Sequence, residues 1–135
     1  MIDPILGPVF VQLGLTLSLV MMLGPVRMVE IKRRGFADIR ANGFSTRAEQ
    51  LSANYKHQFE APVLFYVIAL IFAFALTTTP LVLYLAWAYV VLRIIHSIIQ
   101  LTHDIIFPWR FGVFAASVVV LVTLYIVAVS QVMAA

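Results

Sequence analysis

The 135-residue chain contains no cysteine. Disulfides, thiolate metal sites and a protein cysteine nucleophile are therefore excluded. Charge is nearly as scarce. Charged residues make up 11% of the chain and hydrophobic residues 63%, far from the composition of a soluble domain. Residues 4–26, 61–92 and 111–135 hold no Asp, Glu, Lys or Arg at all. Internal repeats and low-complexity tails are also lacking. The N-terminus has Asp3 where a cleaved signal peptide would have a basic region, and the apolar run behind it is long enough to span a bilayer.

The charge-free runs set the expected architecture, an all-α integral membrane four-helix bundle in a single domain. A span needs about 20 residues at a rise of about 1.5 Å each. The first span is expected at about 4–31, with Gly24-Pro25 loosening its last turn, and the second at about 47–76. Thr46-Arg47-Ala48-Glu49 has capping-box spacing and suits the start of that second helix. The run over 61–92 is too long for one span and too short for two. Thr77-Thr78-Thr79-Pro80 divides it, with Thr79 as N-cap and Pro80 at the first helical position. The third span is then expected at about 80–104 and the fourth at about 110–133. Residues 35–45 are expected as a wet loop, with Gly35, Asn42 and Gly43 as turn residues.

All nine Lys and Arg residues lie between 27 and 56 or at 93 and 110. Positive-inside topology places the loops at 27–49 and 103–110 in the cytoplasm and both termini on the other side. What charge there is falls in a pattern. Arg93, His96, Ser97, Gln100, His103 and Asp104 form one polar stripe on an otherwise aliphatic helix, and Lys56, His57 and Glu60 share a face of the preceding helix. Glu60 and Arg93 lie at matched depth, on the order of 16 Å from the cytoplasmic helix ends. They are expected to face each other. An ionisable group at membrane depth is costly and by default marks a functional site. A structural ion pair accounts for Glu60 and Arg93 but not for His57, His96 and Gln100 around them. Such a run of polar groups implies a wet cavity or a polar ligand. His96 and His103 stand seven apart rather than four, so no metal is assigned.

The segment Asn54-Tyr55-Lys56-His57-Gln58-Phe59-Glu60-Ala61-Pro62-Val63-Leu64-Phe65-Tyr66 resembles the second-helix signature of the membrane-associated proteins in eicosanoid and glutathione metabolism, the MAPEG family, and its bacterial members above all. Arg93-Ile94-Ile95-His96-Ser97 is similar to the family's third-helix motif, and Arg110 falls near its arginine at the start of the fourth helix. The resemblance implies a homotrimer in a bacterial inner membrane, with glutathione held between subunits near the cytoplasmic face and a lipophilic substrate entering from the bilayer. No nucleic acid partner is implied. Carried over, Glu60 meets the glutathione ammonium, Arg93 and His96 line the same pocket with His57 and Gln100, and Arg110 sits beside the sulfur. Arg33 or Arg34 of a neighbouring subunit holds a carboxylate or assists at the sulfur. The chain departs from many members in having His57 in place of asparagine, Gln100 in place of tyrosine, and Pro62 only two residues after Glu60. The implied activity is glutathione transfer to lipophilic electrophiles or reduction of lipid hydroperoxides. The alternative is a non-catalytic membrane subunit or lipid-binding scaffold of the same fold. A small transporter or proton path fits less well, because no charged residue lies in the outer half of a span.

Overall fold

The computed structural model describes residues 2–102 and 107–135. His103 and Asp104, the last members of the polar stripe, lie outside the described residues, as does the expected end of the third span at 104. Among the described residues six helices follow one another: α1 (Leu6–Arg34), α2 (Phe36–Asn42), α3 (Thr46–His57), α4 (Ala61–Phe74), α5 (Pro80–Thr102) and α6 (Phe107–Ala134). Four segments of the described residues are long and apolar enough to cross a bilayer: α1, α3 with α4, α5, and α6 from Trp109 onward. The fold is an all-α membrane four-helix bundle. Phe10, Met21, Phe74, Tyr84 and Val119 stand exposed on its outer faces. An apolar exterior this extensive is what a lipid-facing surface needs and a soluble one avoids.

The second span is not one continuous helix. Its two halves are separated by a turn at 58–60. Pro62 at the second position of α4 explains the break. Its ring would collide with the Gln58 carbonyl in an unbroken helix, and it has no N–H to donate there. The break redirects the chain. α3 packs on α1 and α5, whereas α4 packs on α1 and α6. His57 closes α3 and Glu60 precedes α4, so the point of divergence carries both side chains.

Residues 35–45 are more ordered than a wet loop. They hold α2 between Gly35 (φ 82°) and Gly43 (φ 77°), both with extended ψ, a backbone region essentially reserved for glycine. The cap of α3 lies one residue earlier than the capping-box spacing suggests: Ser45 Oγ accepts from the Ala48 N–H at 3.3 Å. The Ser45 N–H in turn donates to Glu30 Oε1 at 2.9 Å, which pins the start of α3 to the end of α1. Thr79 caps α5 through the Val82 N–H at 3.3 Å, as the Thr-Pro pair predicts.

The interior has three levels. An apolar cluster in one half joins α1, α4, α5 and α6, with Phe65 stacked on Tyr89 at 4.6 Å between ring centres. A smaller cluster of Leu19, Leu23 and Leu51 joins α1 to α3. Amides link the two. Gln12 Nε2 donates to Gln58 Oε1 at 2.8 Å, Gln58 Nε2 reaches Asn54 Oδ1 at 3.3 Å, and Ser97 Oγ donates to Asn54 Oδ1 at 3.0 Å. Asn54 Nδ2 completes the set on the Ser97 carbonyl at 3.1 Å. All four residues are buried. In hydrocarbon, where apolar side chains gain little by leaving lipid for each other, such hydrogen bonds are a principal source of helix association.

Candidate functional site

A cleft of about 180 Å³ opens where α3, α5 and α6 meet, lined by His57, Glu60, His96, Arg110, Phe111 and Phe114. Four of the residues expected in the site therefore share one cavity. Each arrives there for a local reason. His57 is the last residue of α3, Glu60 stands in the turn that Pro62 forces, His96 lies on the inward face of α5, and Arg110 lies in the first turn of α6. Phe114 meets the His96 ring at 6.0 Å, and His57 meets it edge-on at 6.1 Å.

The expected pairing of Glu60 with Arg93 is not made. Glu60 Oε2 instead accepts from His57 Nδ1 at 3.1 Å. An ionised carboxylate has no proton to give, so Nδ1 carries it. The turn before Pro62 is the reason for the exchange of partners. It lifts Glu60 to the surface, where its side chain is 63% exposed, whereas Arg93 is buried at 1%. Arg93 remains within electrostatic reach of Glu60. Its Nη2 donates a long hydrogen bond, 3.5 Å, to the carbonyl of His57. Arg93 thus holds up the cleft wall from behind rather than lining it.

The described part of the stripe on α5 is real: Arg93, His96, Ser97 and Gln100 are all buried. Ser97 belongs to the amide network. The other three each leave one buried polar atom without a hydrogen-bond partner among the described residues, namely Arg93 Nε, His96 Nδ1 and Gln100 Oε1. Their positions at i, i+3 and i+7 put them on one helix face.

Arg33 and Arg34 lie elsewhere in the chain. Arg34 Nε donates to Asp38 Oδ2 at 2.8 Å and its Nη1 to Glu30 Oε1 at 3.3 Å, so it braces the corner between α1 and α2. Arg33 is exposed and borders a separate cleft of about 350 Å³ with Pro25, Val26, Val29, Glu30 and Ser45. Neither reaches the cleft at His57 and Glu60 within one protomer.

Sequence reasoning left out the residues that anchor the site, Gln12, Asn54 and Gln58. Asn54 and Gln58 stand four apart on one helix face, and Gln12 is the single amide in the charge-free run over 4–26. Those are the signals that mark them. The aromatic walls, Phe111 and Phe114, had no comparable signal in a segment that is apolar throughout.

A glutathione ligand fits this set of groups chemically. It carries two carboxylates, an ammonium and a thiol. The cleft offers an exposed carboxylate, a guanidinium and two imidazoles beside two phenyl rings. Comparison with curated proteins and with solved structures yields no match. The sequence model of the MAPEG family, however, matches residues 5–130 of the chain, which take in α1 to α5, most of α6 and every residue lining the cleft. Together with the four-helix membrane bundle, this shows that the chain belongs to the MAPEG family.

Proposed function

We propose that the protein is a glutathione-dependent membrane transferase or peroxidase that acts on lipophilic electrophiles or lipid hydroperoxides. The observation that carries this reading is the row of buried, unpartnered polar atoms on Arg93, His96 and Gln100, beside a cleft that also presents Glu60 and Arg110. Buried polar groups are nearly always satisfied, so such a row calls for a polar ligand or ordered water.

The roles follow from charge. Glu60 uses one carboxylate oxygen on His57 and keeps Oε1 for an ammonium. Arg110 stands at the other side of the cleft, where a guanidinium favours thiolate over thiol. Lowering a thiol pKa by about two to three takes about 3–4 kcal/mol. One cation about 4 Å away supplies roughly 4 kcal/mol at an effective dielectric near 20. His96 orders the peptide part of the ligand from the cleft wall, and Arg93 and Gln100 support it from buried positions on the same face of α5. A homotrimer belongs to the proposal, because only a neighbouring subunit could bring Arg33 or Arg34 to a ligand carboxylate or to the sulfur. Arginine forks suit carboxylates bidentately. Phe111 and Phe114 give the apolar side of the cleft to the second substrate.

Turnover of chlorodinitrobenzene and of a lipid hydroperoxide with glutathione, in protein reconstituted into lipid, tests the assignment. Glu60→Ala is expected to raise the KM for glutathione at least about tenfold, as loss of one charge-assisted contact would. Absence of turnover with both substrates, together with no heat of glutathione binding, would favour the second reading. In that reading the chain is a non-catalytic subunit or lipid-binding scaffold. It draws on Arg34, whose guanidinium is already occupied by Glu30 and Asp38.

A further inference from the structure

We infer that His57, oriented by Glu60, is the general base that takes the thiol proton in this cleft. The inference rests on the glutathione reading and goes beyond it, by assigning the proton a destination. Three observations carry it. His57 Nδ1 is bound to Glu60 Oε2 at 3.1 Å, an arrangement that selects the tautomer with its proton on Nδ1 and its lone pair on Nε2. The ring lines the cleft with its side chain 40% exposed, so it is open to a ligand bound there. The backbone of His57 is held as well, since its carbonyl accepts from Arg93 Nη2 and from the Glu60 N–H at 3.3 Å. A base whose other nitrogen is tied to a carboxylate, on a backbone held from behind, is the arrangement that general-base catalysis requires.

The step balances. Nε2 takes the thiol proton, the S–H bond breaks, and its electron pair stays on sulfur. That pair forms the S–C bond to the electrophile while the leaving group departs with its own pair. The imidazolium, stabilised meanwhile by the Glu60 carboxylate, returns the proton to water. Arg110 stabilises the same thiolate by charge alone, so the two residues divide the work: one moves the proton, the other holds the anion. The other charged or titratable groups that face His57 are Lys56 and Glu60 next to it in the chain, Arg93 and His96 from α5, and Arg110 from α6.

The experiment measures kcat/KM with glutathione and chlorodinitrobenzene across pH, for the full chain in detergent and its His57→Ala and Glu60→Gln variants. The wild-type profile is expected to show a loss of activity on its acid side. His57→Ala should fall about a hundredfold in kcat and lose that acid limb. Added free imidazole should restore part of the rate, which a merely structural role would not allow. If His57→Ala elutes as aggregate, His57→Gln, which keeps an amide against Glu60, supports the same comparison of pH profiles. An active wild type whose variants keep both rate and profile, or gain nothing from imidazole, would overturn the role of His57 and leave the glutathione reading standing. A wild type that neither binds nor turns over glutathione would overturn both.

Discussion

Gln58 hydrogen-bonds Gln12, Asn54 and Ser97 at once, in a layer with no access to water. Gln58→Leu would leave the Gln12 amide and part of Asn54 unpaired, and each buried polar group so stranded costs about 1–3 kcal/mol. Thermal unfolding in detergent should register that loss. Gln12→Leu combined with Gln58→Leu should cost less than the two single changes summed, because the double variant leaves one stranded amide fewer. Side chains were where sequence reading reached least far. It placed His57 and Glu60 with His96 because spacing on a helix defines a face, whereas Arg110 joined them only through the family resemblance. It paired Glu60 with Arg93 because matched depth was reckoned along an unbroken helix. A three-residue turn changes the direction of one side chain without changing its depth, and no periodicity records that.

Helix breaks and corners decide where those side chains end up. Pro62 was visible in the sequence, yet two residues beyond Glu60 it reads equally as an ordinary first-turn proline. Only the divergence of α3 from α4 gives it its effect. The corner at α2 depends on glycine in the same way. A side chain at Gly43 would meet no atom within 4 Å, so the penalty of Gly43→Ala is conformational, about 1–3 kcal/mol. Unfolding of that variant in detergent tests the figure, and Ala41→Gly serves as a control outside the special backbone region. The same corner is pH-sensitive. The Arg34 guanidinium, and after it the Asn42 amide, hold the Asp38 carboxyl below its ordinary 3.8. A lowered native pKa means that the contact stabilises fully above the unfolded value, and that this contribution disappears as pH falls through the native one. Wild type should therefore lose stability below about pH 4 more steeply than Asp38→Asn, in melting curves taken from neutral to acid pH.

For the molecule as a whole, composition and charge-free runs made the membrane bundle legible before any coordinate. A chain this apolar has few other ways to satisfy its backbone. The distribution of Lys and Arg further predicts an orientation with α2 in the cytoplasm and both termini outside. The absence of native cysteine makes this easy to check. In intact cells, Thr78→Cys should react with a membrane-impermeant maleimide and Ala41→Cys should not. The reverse labelling would invert the topology. Assembly was not legible in the same sense, since the outward faces are uniformly apolar and suit lipid and a second subunit alike.

The central claim is that the cleft between α3, α5 and α6 binds glutathione and holds it as a thiolate. The most direct measurement is a glutathione titration of the detergent-solubilised protein at neutral pH, followed by thiolate absorbance in the ultraviolet, with Arg110→Ala in parallel. A saturable thiolate signal in the wild type that the variant loses is the predicted result. No thiolate and no binding heat in the wild type would contradict the claim, and a co-purifying lipid or protein partner would then be the occupant to seek.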